Sequence, residues 1–204
     1  MYKVDWALLR EWVGTFAELA TALLAGLALV TWRRHLRGET KYKVAHKVLE
    51  EARLLRYFFY DARNSWYDAG EFPPAYHQMT SEQRTNDDEA RAWAYVYEGR
   101  YKLVRRQIWI LARLRARSGA VLGDESAAAI ETLARKAREL GNFMNERVAQ
   151  YRAGEHIVAQ WPDQGWVRRV RDSVEVNPDD HSDRYSREFD EAFEALQGKL
   201  RPHT

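Results

Sequence analysis

Few residues in this chain combine the type and the spacing that chemistry needs. Arg152 and His156 come nearest to a ribonuclease pair, with the imidazole as general base and the guanidinium stabilising a phosphorane. Only three residues separate them. His46 and Glu50 stand one helical turn apart, a spacing used in metal sites. Two ligands do not make a site, and a solvated helix face accounts for them. Asp179, Asp180, His181 and Asp183 form a dense acidic cluster, read as a loop with a helix N-cap and alternatively as a divalent-ion site. The sequence has no Gly-rich phosphate loop, no Ser-x-x-Lys pair and no His-Glu-x-x-His helix. The absence of cysteine removes disulfides, thiolate metal ligands and cysteine nucleophiles. No catalytic residue, metal or cofactor is assigned, and a non-enzymatic protein is expected.

The elements that would position these groups are helices. Ala45, Val48, Leu49, Ala52, Leu55, Phe59, Ala62 and Trp66 recur at three- and four-residue spacing, which predicts a helix over about 40–66 with Gly38 breaking it from what precedes. Gly70, Pro73 and Pro74 make about 67–83 a loop. Thr85 or Asn86 caps a third helix, with Asp87, Asp88 and Glu89 in its first turn and Ser118-Gly119 as its stop. A fourth helix starts at Gly123-Asp124 and runs to about Arg152. An irregular connection containing a short helix follows, and a last helix over about 182–200 ends before Pro202. Arg63-Asn64 closes the second helix, where a basic residue suits the dipole; the functional reading is a subunit contact. Lys102, Arg105, Arg106, Arg113, Arg115 and Arg117 gather on the third helix with Tyr101 and Trp109 among them. They read as a solvated face or as a surface for RNA or anionic lipid. The net charge of +2 is too small to imply a nucleic-acid binder by itself, and no DNA partner is expected.

Near the start lies an apolar stretch, Val13–Trp32, with Glu18 its only charge. As a helix it would be about 30 Å long, the thickness of a bilayer core. It exceeds the apolar core of a cleavable signal, and Arg33, Arg34, Arg37, Lys41 and Lys43 follow it rather than precede it. The positive-inside rule puts the following body in the cytoplasm and the N-terminus outside. On a helical wheel Gly14, Glu18, Thr21, Ala25 and Ala28 fall within about 40° of one line, all small or polar. Large residues occupy the other side. Close helix–helix approach explains this segregation, and lipid does not. A carboxylate in hydrocarbon needs a protein partner or water, so the stripe predicts a homo-oligomer, with a ring of Glu18 biasing any pore toward cations. The alternatives are a monomeric tether with Glu18 reaching the interface, and a core helix of a soluble domain. Arg33, Arg34 and Arg37 are placed to meet anionic headgroups. The expectation is an all-α chain, with a transmembrane anchor over 1–37 and an antiparallel helical bundle over 38–204.

The run Trp32-Arg33-Arg34-His35-Leu36-Arg37-Gly38, then Tyr42, Ala45 and Leu49, then Arg63-Asn64, resembles a pattern in small bacterial proteins with one N-terminal membrane helix and a cytoplasmic helical domain. Lys199-Leu200-Arg201-Pro202 is similar to that group's Leu-Arg-Pro ending. Within the group, the chain resembles the membrane accessory proteins encoded beside type VI-B, RNA-targeting CRISPR effectors. The resemblance implies a multi-subunit pore in the inner membrane, a HEPN-like cytoplasmic bundle, and antiviral defence by depolarisation. Ser65 stands where the group has proline. The HEPN ribonuclease pattern, Arg and then His after four to six residues, is absent. The resemblance therefore implies an oligomer rather than a nuclease. A tethered adaptor binding a protein or RNA is the second expectation, and an anchored ribonuclease the third.

Overall fold

The computed structural model describes residues 6–176 and 183–203, and for 6–15, 17–20, 22 and 155–156 it describes the main chain alone. The described residues form helices α1 (Trp6–Arg63), α2 (Pro74–His77), α3 (Asn86–Leu122), α4 (Asp124–Ala153), α5 (Glu155–Val158), α6 (Gln164–Val174) and α7 (Arg184–Leu200). No strand occurs among them, and one parallel bridge joins Asn64 to Val176. The chain is all-α and divides into two compact units, Met1–Lys43 and Val44–Thr204.

The expected break at Gly38 does not occur; α1 passes through it. A helical glycine costs only about 1 kcal/mol against alanine. Its flanks close the helix around it. Thr40 Oγ1 donates to the Leu36 carbonyl at 2.8 Å, and Lys43 pairs with Glu39 at 2.6 Å. In the first unit every described side chain is exposed, including Leu23, Leu24, Leu27, Leu29, Val30 and Trp32. Among the described residues no helix is long and apolar enough to cross a membrane. Of the expected anchor, residues 13–15, 17–20 and 22 lie outside the described side chains.

The second unit is a four-helix bundle of α1 from Val44 onward with α3, α4 and α7. The expected stripe on α1, from Ala45 to Ala62, is buried. Trp66 is not part of it and stands exposed, because the helix has already ended at Arg63. α3 begins on a capping box in which Thr85 and Asp88 satisfy each other's main-chain N–H groups. It overruns Ser118-Gly119: Ser118 is buried in the bundle, and a Cβ added at Gly119 would stand 3.4 Å from Ala127 Cβ of α4. The turn falls instead at Gly123, whose φ of +101° suits glycine. One residue then connects α3 to an antiparallel α4. α7 lies antiparallel to α4 and to α1: Lys136 pairs with Glu188 (2.7 Å) and Lys199 with Glu125 (2.6 Å), while Arg56 and Tyr60 both donate to Asp190 at 2.9 Å. The expected irregular connection holds α5 and α6.

The core is filled by Leu55, Phe59, Val104, Leu111, Leu140 and Leu196 among others, all without exposed surface. Phe59 stacks flat on Phe189, centroids 3.8 Å apart, so α1 and α7 meet through these rings. Replacing Phe59 by alanine deletes this contact and leaves a cavity. The expected loss is about 3–5 kcal/mol of stability, read as a shifted denaturation midpoint.

Candidate functional site

The densest polar chemistry surrounds the end of α1. Arg63 is the last residue of that helix and has no exposed surface. Its Nε donates to the Ser173 carbonyl at 2.6 Å and Nη1 to Ser186 Oγ at 2.7 Å. Nη2 donates to the Asp172 carbonyl at 3.2 Å and to Asp183 Oδ1 at 3.0 Å. The rings of Phe59 and Tyr185 each lie 5.1 Å from its guanidinium carbon. The planar fork therefore reaches α6 and the start of α7 at once, a geometry ammonium cannot copy. Burial pulls the guanidinium below its ordinary pKa, and Asp183 opposes that pull.

Arg63 is expected at a helix end, with a subunit contact as its functional reading; the donors described are used inside its own chain. Asn64 differs. It is half-buried and lines a groove of about 680 Å³ with Arg53, Tyr57 and Glu194. Its Oδ1 accepts from the Trp66 N–H at 2.9 Å, which turns the chain off the helix. Val176 N–H donates to the Arg63 carbonyl at 2.9 Å, and Ser65 N–H donates to the Val176 carbonyl at 3.0 Å. The α1 exit and the segment after α6 are thus tied by main chain as well.

A second arginine, unforeseen from the sequence, grips the same exit. Arg100 of α3 donates to Glu71 through Nε (2.6 Å) and Nη2 (2.7 Å). It also donates to the Trp66 carbonyl at 2.7 Å and to the Asn64 carbonyl. Its guanidinium covers the Tyr67 ring at 4.2 Å. These hydrogen bonds from Arg100 hold Glu71 below the usual carboxylate range.

Beside it lies an aromatic seam. Trp93 stacks on Tyr151 with centroids 5.0 Å apart, and Tyr67 meets Trp93 edge-on at 4.6 Å. Arg147 lies 4.3 Å over Tyr151 and pairs with Glu175 at 2.8 Å; the Tyr151 hydroxyl donates to the same Glu175 oxygen at 3.1 Å. A cavity of about 280 Å³ here is lined by Asn86, Glu89, Trp93, Arg147, Gln150 and Tyr151. Burial pushes the Tyr67 phenol up to about 12 and raises those of Tyr97 and Tyr151 as well. Raised phenols and lowered carboxylates both move away from neutrality.

The other expected residues fall as follows. Thr21, Ala25 and Ala28 are exposed on α1, as are Arg33, Arg34 and Arg37; the side chains of Gly14 and Glu18 lie outside the described residues. Glu50 accepts from Lys47 at 3.0 Å. No group of metal-ligating side chains occurs among the described residues. Arg152 is exposed and pairs with Asp87 at 3.2 Å, while the His156 side chain, like Asp179, Asp180 and His181, lies outside the described residues. Asp183 is the N-cap of α7, accepting from the Ser186 N–H at 2.9 Å. Compared with known proteins, the chain matches no family model, no curated protein and no solved structure.

Burial alone would raise the Asp183 pKa, but the Ser186 hydrogen bonds and the Arg63 charge outweigh it and leave the group below its ordinary value of 3.8. A carboxylate lowered on folding stabilises the fold above its unfolded pKa and loses that contribution as pH falls through the folded value. Stability should therefore drop below about pH 4, and Asp183→Asn should be less stable at neutrality with a flatter acid limb. Arg63→Ala should cost about 3–5 kcal/mol, with Arg63→Lys rescuing little. Thermal melts across pH check both.

Proposed function

We propose that the chain is a membrane-anchored homo-oligomer without catalytic activity. Val13–Trp32 is its single-pass anchor, and the helical body from residue 38 onward lies on the cytoplasmic side. The observation that carries this reading is the uncovered apolar surface of α1. Leu23, Leu24, Leu27, Leu29 and Val30 cover about 220° of the helix circumference, and each is at least half exposed. So broad an apolar arc, with no charge from Thr21 to Trp32, belongs in a core or a bilayer. The bundle closes its own core with a stripe that starts only at Val44. Exposed Arg33, Arg34 and Arg37 supply the basic flank that headgroups attract.

Assembly follows from the stripe of Gly14, Glu18, Thr21, Ala25 and Ala28. Small residues permit close helix contact, and a carboxylate at membrane depth requires neighbours from other chains. In such an assembly Glu18 lines a path for cations, and opening that path would collapse the membrane potential. The resemblance to type VI-B accessory proteins points the same way, toward defence by depolarisation.

The test is the mass of the detergent-extracted protein by light scattering, with and without Ala25→Leu. A discrete multimer that falls apart in the variant is expected, and Glu18→Leu should then alter conductance in planar bilayers. A monomer in both forms overturns the oligomer. It would leave a membrane-tethered adaptor, a reading that the unpaired cations of α3 favour.

A further inference from the structure

α3 presents a second surface, opposite its core face. Tyr95, Lys102, Arg106, Trp109, Arg113 and Arg117 fall within about 80° of arc and span about 33 Å of helix. All six are exposed, Tyr95 and Trp109 each to 59%. Elsewhere on α3 and α4 the cations have carboxylate partners: Arg100 with Glu71, Arg105 with Glu98, Arg115 and Arg138 with Glu131, Arg135 with Glu139. Lys102, Arg106, Arg113 and Arg117 have none among the described residues. The line from Tyr95 to Arg117 carries no carboxylate; Glu98 lies to its side and is held by Arg105.

One contact gives the surface its chemistry. The Arg113 guanidinium lies 3.5 Å from the centre of the Trp109 ring, so the two planes form an exposed stacked pair. A cation row with aromatic platforms is the recognition chemistry of single-stranded nucleic acid: phosphates meet the charges and bases stack on the rings. An anionic bilayer fits less well. Surface-seeking helices insert an apolar face, and that of α3, with Val96, Tyr97, Val104, Ile108 and Leu111, is buried in the core. A duplex offers phosphates but no free base face for Trp109.

We infer that the Tyr95–Arg117 face of α3 binds single-stranded nucleic acid through its four cations without carboxylate partners and the Trp109–Arg113 stack. Fluorescence anisotropy of a labelled oligouridine against the full-length protein in detergent tests it. Four phosphate contacts predict a salt slope of about −3, and Arg106→Gln should reduce it by about 0.7. Trp109→Ala should weaken binding about 5- to 150-fold. These exposed changes should leave circular dichroism melts unaltered. Absence of binding at low salt overturns the inference, as does equal weakening by Arg187→Gln, an exposed arginine away from this face. Anionic phosphatidylglycerol vesicles competing away the oligouridine in wild type but not in the Arg106 variant would reassign the face to lipid.

Discussion

A guanidinium with no surface in water is tolerated only if the protein replaces water's hydrogen bonds almost completely. Arg63 meets that condition, and doing so fixes three elements at once. Its Nε fixes the end of α6, its Nη1 and Nη2 fix the first turn of α7, and its backbone ends α1. Without that convergence the bridge between Arg63, Ser65 and Val176 would have nothing to hold its register. The Phe59–Phe189 stack one turn earlier would also lose the angle at which α7 approaches. The bundle is thus organised by a charge at one end as much as by its apolar interior.

The parts of this fold legible in the sequence are the local ones. The Ala45–Ala62 stripe, the N-cap of α3 with its acidic first turn and the start of α4 at Gly123-Asp124 depend on residues within a turn or two of each other. Gly38 and Gly119 misled because a glycine's local cost is small beside helix continuity in one case and a close approach to α4 in the other. Arg63 stands out in the sequence only as a helix end, and Arg100 not at all. Their partners are as far as 123 and 36 residues away, and nothing in a basic helix end announces which cation will be buried.

α3 does three jobs by dividing its circumference. One row fills the core. Gln107 reaches the Glu51 carbonyl on α1 at 3.0 Å, and Arg100 seizes the chain where α1 ends. The remaining row faces outward with unpaired charge. The paired and unpaired cations of this helix look alike in the sequence. Only the fold, by supplying Glu71, Glu98 and Glu131 to some and none to others, separates those that build the body from those left without a carboxylate among the described residues.

Both clamping arginines hold main-chain carbonyls: Arg63 those of Asp172 and Ser173, Arg100 those of Asn64 and Trp66. Every residue type carries a carbonyl. The exposed side chains at 66 and 172 can therefore change without breaking either clamp, whereas Arg63 and Arg100 cannot.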